Sequence, residues 1–74
     1  MDEDILLGRW NQFQGEIRRW WGELTDDEVD RIQGSREKLV GILQERYGYS
    51  KEMALQEVAD FLDVVVARMM PTSK

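Results

Sequence analysis

Between Ile5 and Leu24 the apolar residues fall at positions 6, 10, 13, 17, 20, 21 and 24, a step of three and four that only a helix turns into one continuous stripe. The pattern predicts a first helix, capped by Asp2 or Asp4, whose carboxylate accepts free amide hydrogens of the first turn, and ended by a left-handed Gly22. Thr25 followed three residues later by Glu28 matches a capping box, with Asp26 and Asp27 where the positive end of the helix dipole favours acids. The short second helix that begins there turns Val29 and Ile32 inward and stops at Gly34. Ser35 caps a third helix, about Arg36 to Tyr47, in which Leu39, Leu43 and Tyr47 lie one turn apart and Val40 and Ile42 widen the face. Gly48 ends it, and Tyr49 is placed to fold back onto the preceding turn, as in a Schellman cap. Ser50 caps the fourth helix, where Leu55, Val58, Leu62, Val65 and Met69 repeat the same step until Pro71 forbids continuation.

The three connections are only a few residues each, so consecutive helices are neighbours in space. The expectation is an all-α, compact four-helix unit over residues 1–70 followed by a frayed tail at 71–74. No period-two run or Asn-Gly pair signals a strand. The glycines at 8, 15 and 22 look like an internal repeat, but they extend over too little chain to make a solenoid.

Composition narrows the chemistry. The chain has 74 residues and neither Cys nor His, so disulfides, thiolate ligation and imidazole ligation are all excluded and stability rests on packing or self-association. Ten basic against fifteen acidic residues give a net charge of −5, which opposes binding to a phosphate backbone. The stretch Phe61 to Met70 is broken by Asp63 and Arg68 and is half the length of a membrane span. No membrane partner is expected. With no basic, apolar and cleavable leader in the sequence, the expected location is the cytoplasm.

For catalysis the inventory is thin. The serines and threonines are Thr25, Ser35, Ser50, Thr72 and Ser73; two of them are well used as caps, and no base stands ready to activate one. Phosphate-cradling loops are absent because the early glycines are spaced by seven on a helix. The acidic run Asp26, Asp27, Glu28 and Asp30 lacks the alternating oxygens and sharp glycine turn of a calcium loop, and helix capping already accounts for it. No enzyme activity, cofactor, metal or small-molecule substrate is expected.

What remains is surface. At ~100° per residue, Trp10, Phe13, Ile17 and Leu24 share one side of the first helix, while Gly8, Gln12, Gly15 and Arg19 fall nearly opposite. Interior glycines weaken a helix by roughly 1 kcal/mol each relative to alanine. A glycine back is therefore either a place where another backbone approaches or a weak helix covered by the rest of the chain. Trp20 and Trp21 point ~100° apart, so at least one is partly exposed. Gly8, Gln12, Gly15, Arg19 and Trp20 form the candidate partner surface. Arg9, Arg18, Arg19 and Arg31 are interspersed with Glu16, Glu23 and Asp30, which reads as a mixed-charge surface.

Four segments, Gly8-Arg-Trp-Asn-Gln-Phe-Gln-Gly15, Trp21-Gly-Glu-Leu-Thr-Asp-Asp27, Ile32-Gln-Gly34 and Leu39-Val-Gly-Ile-Leu-Gln-Glu-Arg-Tyr-Gly48, resemble the CsbD-like family of small bacterial general-stress proteins. The resemblance runs from about Asp4 to Val58. It implies two helical hairpins packed roughly at right angles, similar to the sterile-alpha-motif arrangement, and a soluble stress-induced protein without assigned catalytic activity. The apolar ending Leu62-Asp-Val-Val-Val-Ala-Arg-Met-Met departs from shorter, more polar family endings, and Gln14-Gly-Glu-Ile-Arg-Arg stands where lysine-rich sequence is common. The resemblance brings no set of functional residues, but it matches Trp21 and leaves Trp20 without a counterpart, which makes Trp20 the better candidate for a contact particular to this protein. The leading functional expectation is a non-enzymatic stress-response protein acting through an unknown protein partner or as a soluble protective factor. A self-associating or adaptor module is the alternative, suggested by the glycine back and by Val64 and Met53 lying off the main stripe. Nucleic-acid binding comes third.

Overall fold

A computed structural model describes residues 5–69. Among them lie five helices and no strand: α1 (Ile5–Gly8), α2 (Trp10–Trp20), α3 (Asp26–Ile32), α4 (Arg36–Tyr47) and α5 (Lys51–Met69). The caps proposed at Asp2 or Asp4, the stop at Pro71 and the tail 71–74 lie outside the described residues, as does the side chain of Met69.

The predicted first helix is two. Arg9 leaves the helical region (φ −122, ψ 37), although its amide still donates to the Ile5 carbonyl at 3.0 Å and its own carbonyl accepts from Gln12 and Phe13 at 3.0 and 3.1 Å. Gly8, a poor helix former, precedes the break. The helix also ends before Gly22, which is not left-handed: Trp21 carries the C-cap (φ −120, ψ 83) and donates to the Ile17 carbonyl at 2.8 Å. The Leu24 amide then donates to the Trp21 carbonyl at 3.1 Å. A turn closed this way requires no left-handed residue at 22.

The other caps stand as the sequence predicts. Thr25 Oγ1 accepts from the Glu28 amide at 3.2 Å while Glu28 Oε1 accepts from the Thr25 amide at 2.9 Å, completing the capping box. Ser35 and Ser50 each accept from the amide three residues on, at 3.2 and 3.1 Å. Gly48 is left-handed (φ 73), and Tyr49 stacks on Tyr47 with centroids 5.2 Å apart. Gly34 (φ 80) follows a left-handed Gln33 (φ 48). A methyl at Gly34 would lie 2.7 Å from the Leu7 Cα, so this glycine is required both by its backbone angle and by the close approach of α1.

The buried stripe of α5 is Ala54, Val58, Phe61, Leu62 and Val65. Leu55, expected inward, is 49% exposed; it sits one residue, ~100°, around the helix from Ala54. Consecutive helices from α2 to α5 pack together, and Phe61 carries α5 back onto α2. Its ring lies 5.9 Å from Phe13, 4.8 Å from Trp21 and 5.5 Å, edge-on, from Trp20. Arg68 reinforces this closure by donating to Glu16 at 2.9 Å. The radius of gyration is 12.0 Å, about the compact value for a domain this size.

The chain repeats one order of elements. In each case a helix is followed closely by a glycine (Gly22, Gly48), a short connection, the corner, follows, and a hydroxyl (Thr25, Ser50) caps the next helix. Phe13 and Ile17 of α2 are fully buried, as are Leu39 and Leu43 of α4, which stand 26 positions later. The second connection is one residue shorter, so α3 and α5 correspond at a step of 25, with Val29 and Ala54 both buried.

Candidate functional site

The structure divides the five-residue candidate surface. Gly8, Gln12, Gly15 and Arg19 are all exposed along the outer side of α1 and α2. Among the described residues nothing lies within 4 Å of a methyl placed at Gly8 or Gly15. The only side-chain bond on this strip among the described residues is the 3.4 Å contact from Arg9 Nη1 to Gln12 Oε1. Trp20 does not join them. It lies ~100° around the helix from Arg19, turned towards Phe61, and remains 37% exposed, whereas Trp21 is 2% exposed. The indole Nε1 of Trp21 has no hydrogen-bond partner among the described residues.

A polar network ties the two corners together. Arg46, in the last turn of α4, grips the Glu28 carboxylate with Nη2 at 2.6 Å and Nε at 3.2 Å. The same carboxylate completes the α3 capping box. The Arg46 guanidinium first, and then the Thr25 amide, hold the Glu28 carboxyl below its ordinary range, while Glu28 holds Arg46 above its own. Tyr47 Oη accepts from the Glu23 amide at 3.2 Å, fastening the α2–α3 connection to α4. Burial pushes up the neighbouring Tyr49 hydroxyl. These contacts hold the fold together; none aims at an open cleft.

Each corner carries a shallow groove on its outside. The first, about 230 Å³, is lined by Gln14, Arg18, Asp26, Val29 and Asp30, and the Arg18–Asp26 ion pair at 2.7 Å spans it. The second, about 430 Å³, lies between α4 and α5 and includes Val40, Gln44, Lys51 and Leu55. These four are the counterparts of Gln14, Arg18, Asp26 and Asp30. Two polar positions have become apolar, and the residues of the spanning ion pair have become Gln44 and Lys51. Gly41, the counterpart of Gly15, forms part of the second groove, and among the described residues a methyl there would meet nothing within 4 Å.

Among the described residues no group of three His, Cys, Asp or Glu could hold a metal ion. Two acids of the α3 run are engaged by the protein itself: Asp26 by Arg18, and Glu28 by Arg46.

The glycine-punctuated corners are the part of the chain that comparison with known proteins identifies. Residues 4–55 match the family model described as CsbD-like. The chain belongs to the CsbD-like family. A UPF0337 protein of Bordetella pertussis is 51% identical over 63 residues, covering 85% of this chain and 96% of that protein. A UPF0337 protein of Pseudomonas aeruginosa is 54% identical over 63 residues, covering 85% and 97%. The UPF0337 protein YjbJ of Escherichia coli strain K12 is 49% identical over 61 residues, covering 82% and 88%. The CsbD-like match ends at the first turn of α5, so the groove falls within it and the rest of α5 beyond it.

Sequence reasoning did not find the second groove. Its signal is present: Gly34, Gly41 and Gly48 repeat the seven-residue spacing of Gly8, Gly15 and Gly22, which aligns α4 with α2 and exposes the polar-to-apolar exchanges.

Proposed function

We propose that this CsbD-like protein is a non-enzymatic stress-response protein of the bacterial cytoplasm, acting through protein contacts or as a soluble protective factor. The observation that carries the reading is the division of its apolar side chains. Among the described residues every buried side chain in the core is apolar, while Leu7, Trp20, Met53, Leu55 and Val64 stay outside. A domain this small has little apolar surface to spare, so large side chains left in water favour contact over chemistry in an interior pocket. Membership of the family supplies the stress context. The repeated corner supports a finer arrangement in which α2–α3 and α4–α5 are two helical hairpins crossing at about a right angle.

No described helix is long and apolar enough to cross a membrane. The net charge of −5 weighs against a nucleic-acid partner. The test is a deletion strain exposed to heat, osmotic and oxidative stress, complemented with the wild type, Trp20→Ala or Leu55→Gln. The wild type restores survival, and at least one of the two surface variants fails to do so despite normal abundance. Equal survival of the deletion and parent strains under all three stresses would contradict the reading. A second reading, self-association, is favoured by the open α4–α5 groove.

A further inference from the structure

We infer that the α4–α5 groove is a docking site for the outer face of α5 of a second copy of this chain, joining copies head to tail. This rests on the reading of the protein as one that acts through contacts, and it names one partner.

The groove is built for an external helix. Val40 and Leu55 give it an apolar lining, and Gly41 lies between them without a methyl. Nothing among the described residues requires that glycine: its φ is not positive and the space beyond it is open. Glycine in mid-helix weakens the helix relative to alanine, and a smooth position of this kind admits a close backbone approach. The corresponding groove of the first corner is polar and spanned by Arg18 and Asp26. Of the two, the second groove presents more uncovered apolar surface, chiefly that of Leu55, since Val40 is buried.

Charge selects the occupant. The ion pairs among the described residues take Arg18, Arg46 and Arg68. Arg36 and Lys51, which line the groove, form none among these residues, nor do Arg31 and Lys38 in the adjoining hollow that shares Gly41. Four cations therefore flank Gly41, against Glu37 and Glu45, on a chain whose net charge is −5. The complementary surface is on α5. Met53, Asp60, Val64 and Ala67 follow one exposed stripe at steps of seven, four and three, with Asp63 beside it and Glu52 exposed in the first turn. That stripe offers carboxylates to the cations and Val64 or Met53 to the space between Val40 and Leu55. Groove and stripe are different surfaces, so the contact is heterologous and adds copies without a fixed end.

Sedimentation from about 10 µM to about 1 mM, a range suited to a small interface, tests this. The average mass climbs continuously with concentration and falls back with added salt, as screened charges require. Gly41→Gln, which fills the groove with a better helix former, keeps the helical content and abolishes the climb. Two charge reversals sharpen the result: Arg36→Glu with Lys51→Glu destroys the groove, and Asp60→Lys with Asp63→Lys destroys the stripe. Each double variant alone stays monomeric. Mixed, they associate again and the average mass climbs with concentration, because the intact groove meets the intact stripe and the reversed groove meets the reversed stripe. A wild-type mass that stays at one chain, or levels at two, overturns the proposal, as does a mixture that fails to associate. In that event a stress phenotype restored by the wild type but not by Gly41→Gln would place a different acidic partner in the groove, leaving the contact reading intact. Retention on DNA that depends on Arg36 and Lys51 would instead assign the cations to nucleic acid.

Discussion

The two corners share an order of elements and a set of buried positions, and they differ in their outer faces. In the first, Gln14, Asp30 and the Arg18–Asp26 pair make a groove that is polar throughout apart from Val29. In the second, Val40 and Leu55 replace the outlying polar residues and the spanning pair is gone. The inward positions show no such divergence: Phe13 and Leu39, Ile17 and Leu43, Val29 and Ala54 are all buried. The comparison teaches that the helix-glycine-cap arrangement specifies the corner, while a few outward residues decide whether its groove is finished or left available.

The hardest way to break the comparison is to separate the corners. Phe61 packs against Phe13, Trp20 and Trp21, and Phe61→Ala should cost ~3–5 kcal/mol. Since a core of this size supplies only ~3–5 kcal/mol in total, circular dichroism should find the variant largely unfolded at room temperature. The next test sets corresponding glycines against each other. Gly34→Ala forces a methyl into a left-handed position against the Leu7 backbone and should cost ~2 kcal/mol or more. Gly8→Ala meets nothing among the described residues and should stabilise slightly; urea midpoints moving in opposite directions would establish that the two glycines are kept for different reasons.

Helix existence and capping were legible because they depend on residues within one turn of each other. Thr25 and Glu28, Ser35 and Lys38, and Ser50 and Met53 make their bonds three positions apart, whatever the rest of the chain does. The α5 stripe was less legible. Met53, Ala54 and Leu55 are all apolar, and only the ring of Phe61 meeting α2 decides that small Ala54 faces inward and larger Leu55 outward. The break at Arg9 has no proline to announce it. Gly22, Gly34 and Gly48 look alike in sequence, and the turn closed from Leu24 to Trp21 relieves only the first of a left-handed angle. As for the site, the outward glycine strip and the exposure of at least one of Trp20 and Trp21 followed from helical geometry, whereas the choice of Trp20 came from the family resemblance. The groove did not, because its character emerges only from comparing segments some 25 residues apart.

Smaller effects sharpen the comparison. Gly15→Ala and Gly41→Ala occupy corresponding positions without neighbours among the described residues, so each should stabilise the monomer by ~0.5–1 kcal/mol. Thermal melts at low concentration measure this. A Gly15→Ala protein that is more stable and still functional removes the first-helix glycine strip as a contact surface. The Glu28–Arg46 link gives an acid-sensitive contribution. Its carboxyl is held below the ordinary range in the folded protein, so the stabilisation is present above the unfolded glutamate value of about 4.3 and is lost as pH falls through the lower, folded value. Stability measured against Glu28→Gln should therefore show a gap at neutral pH that narrows only below about pH 4. A gap independent of pH would assign the effect to packing.

The most direct test of the unequal corners is the concentration dependence of backbone amide NMR signals. Signals of Val40, Gly41, Lys51 and Leu55 in the groove, and of Asp60, Asp63 and Val64 on the stripe, should move together as concentration rises, while those of Gln14, Arg18 and Asp30 stay still. Equal movement at both grooves, or no movement at either, would contradict that expectation.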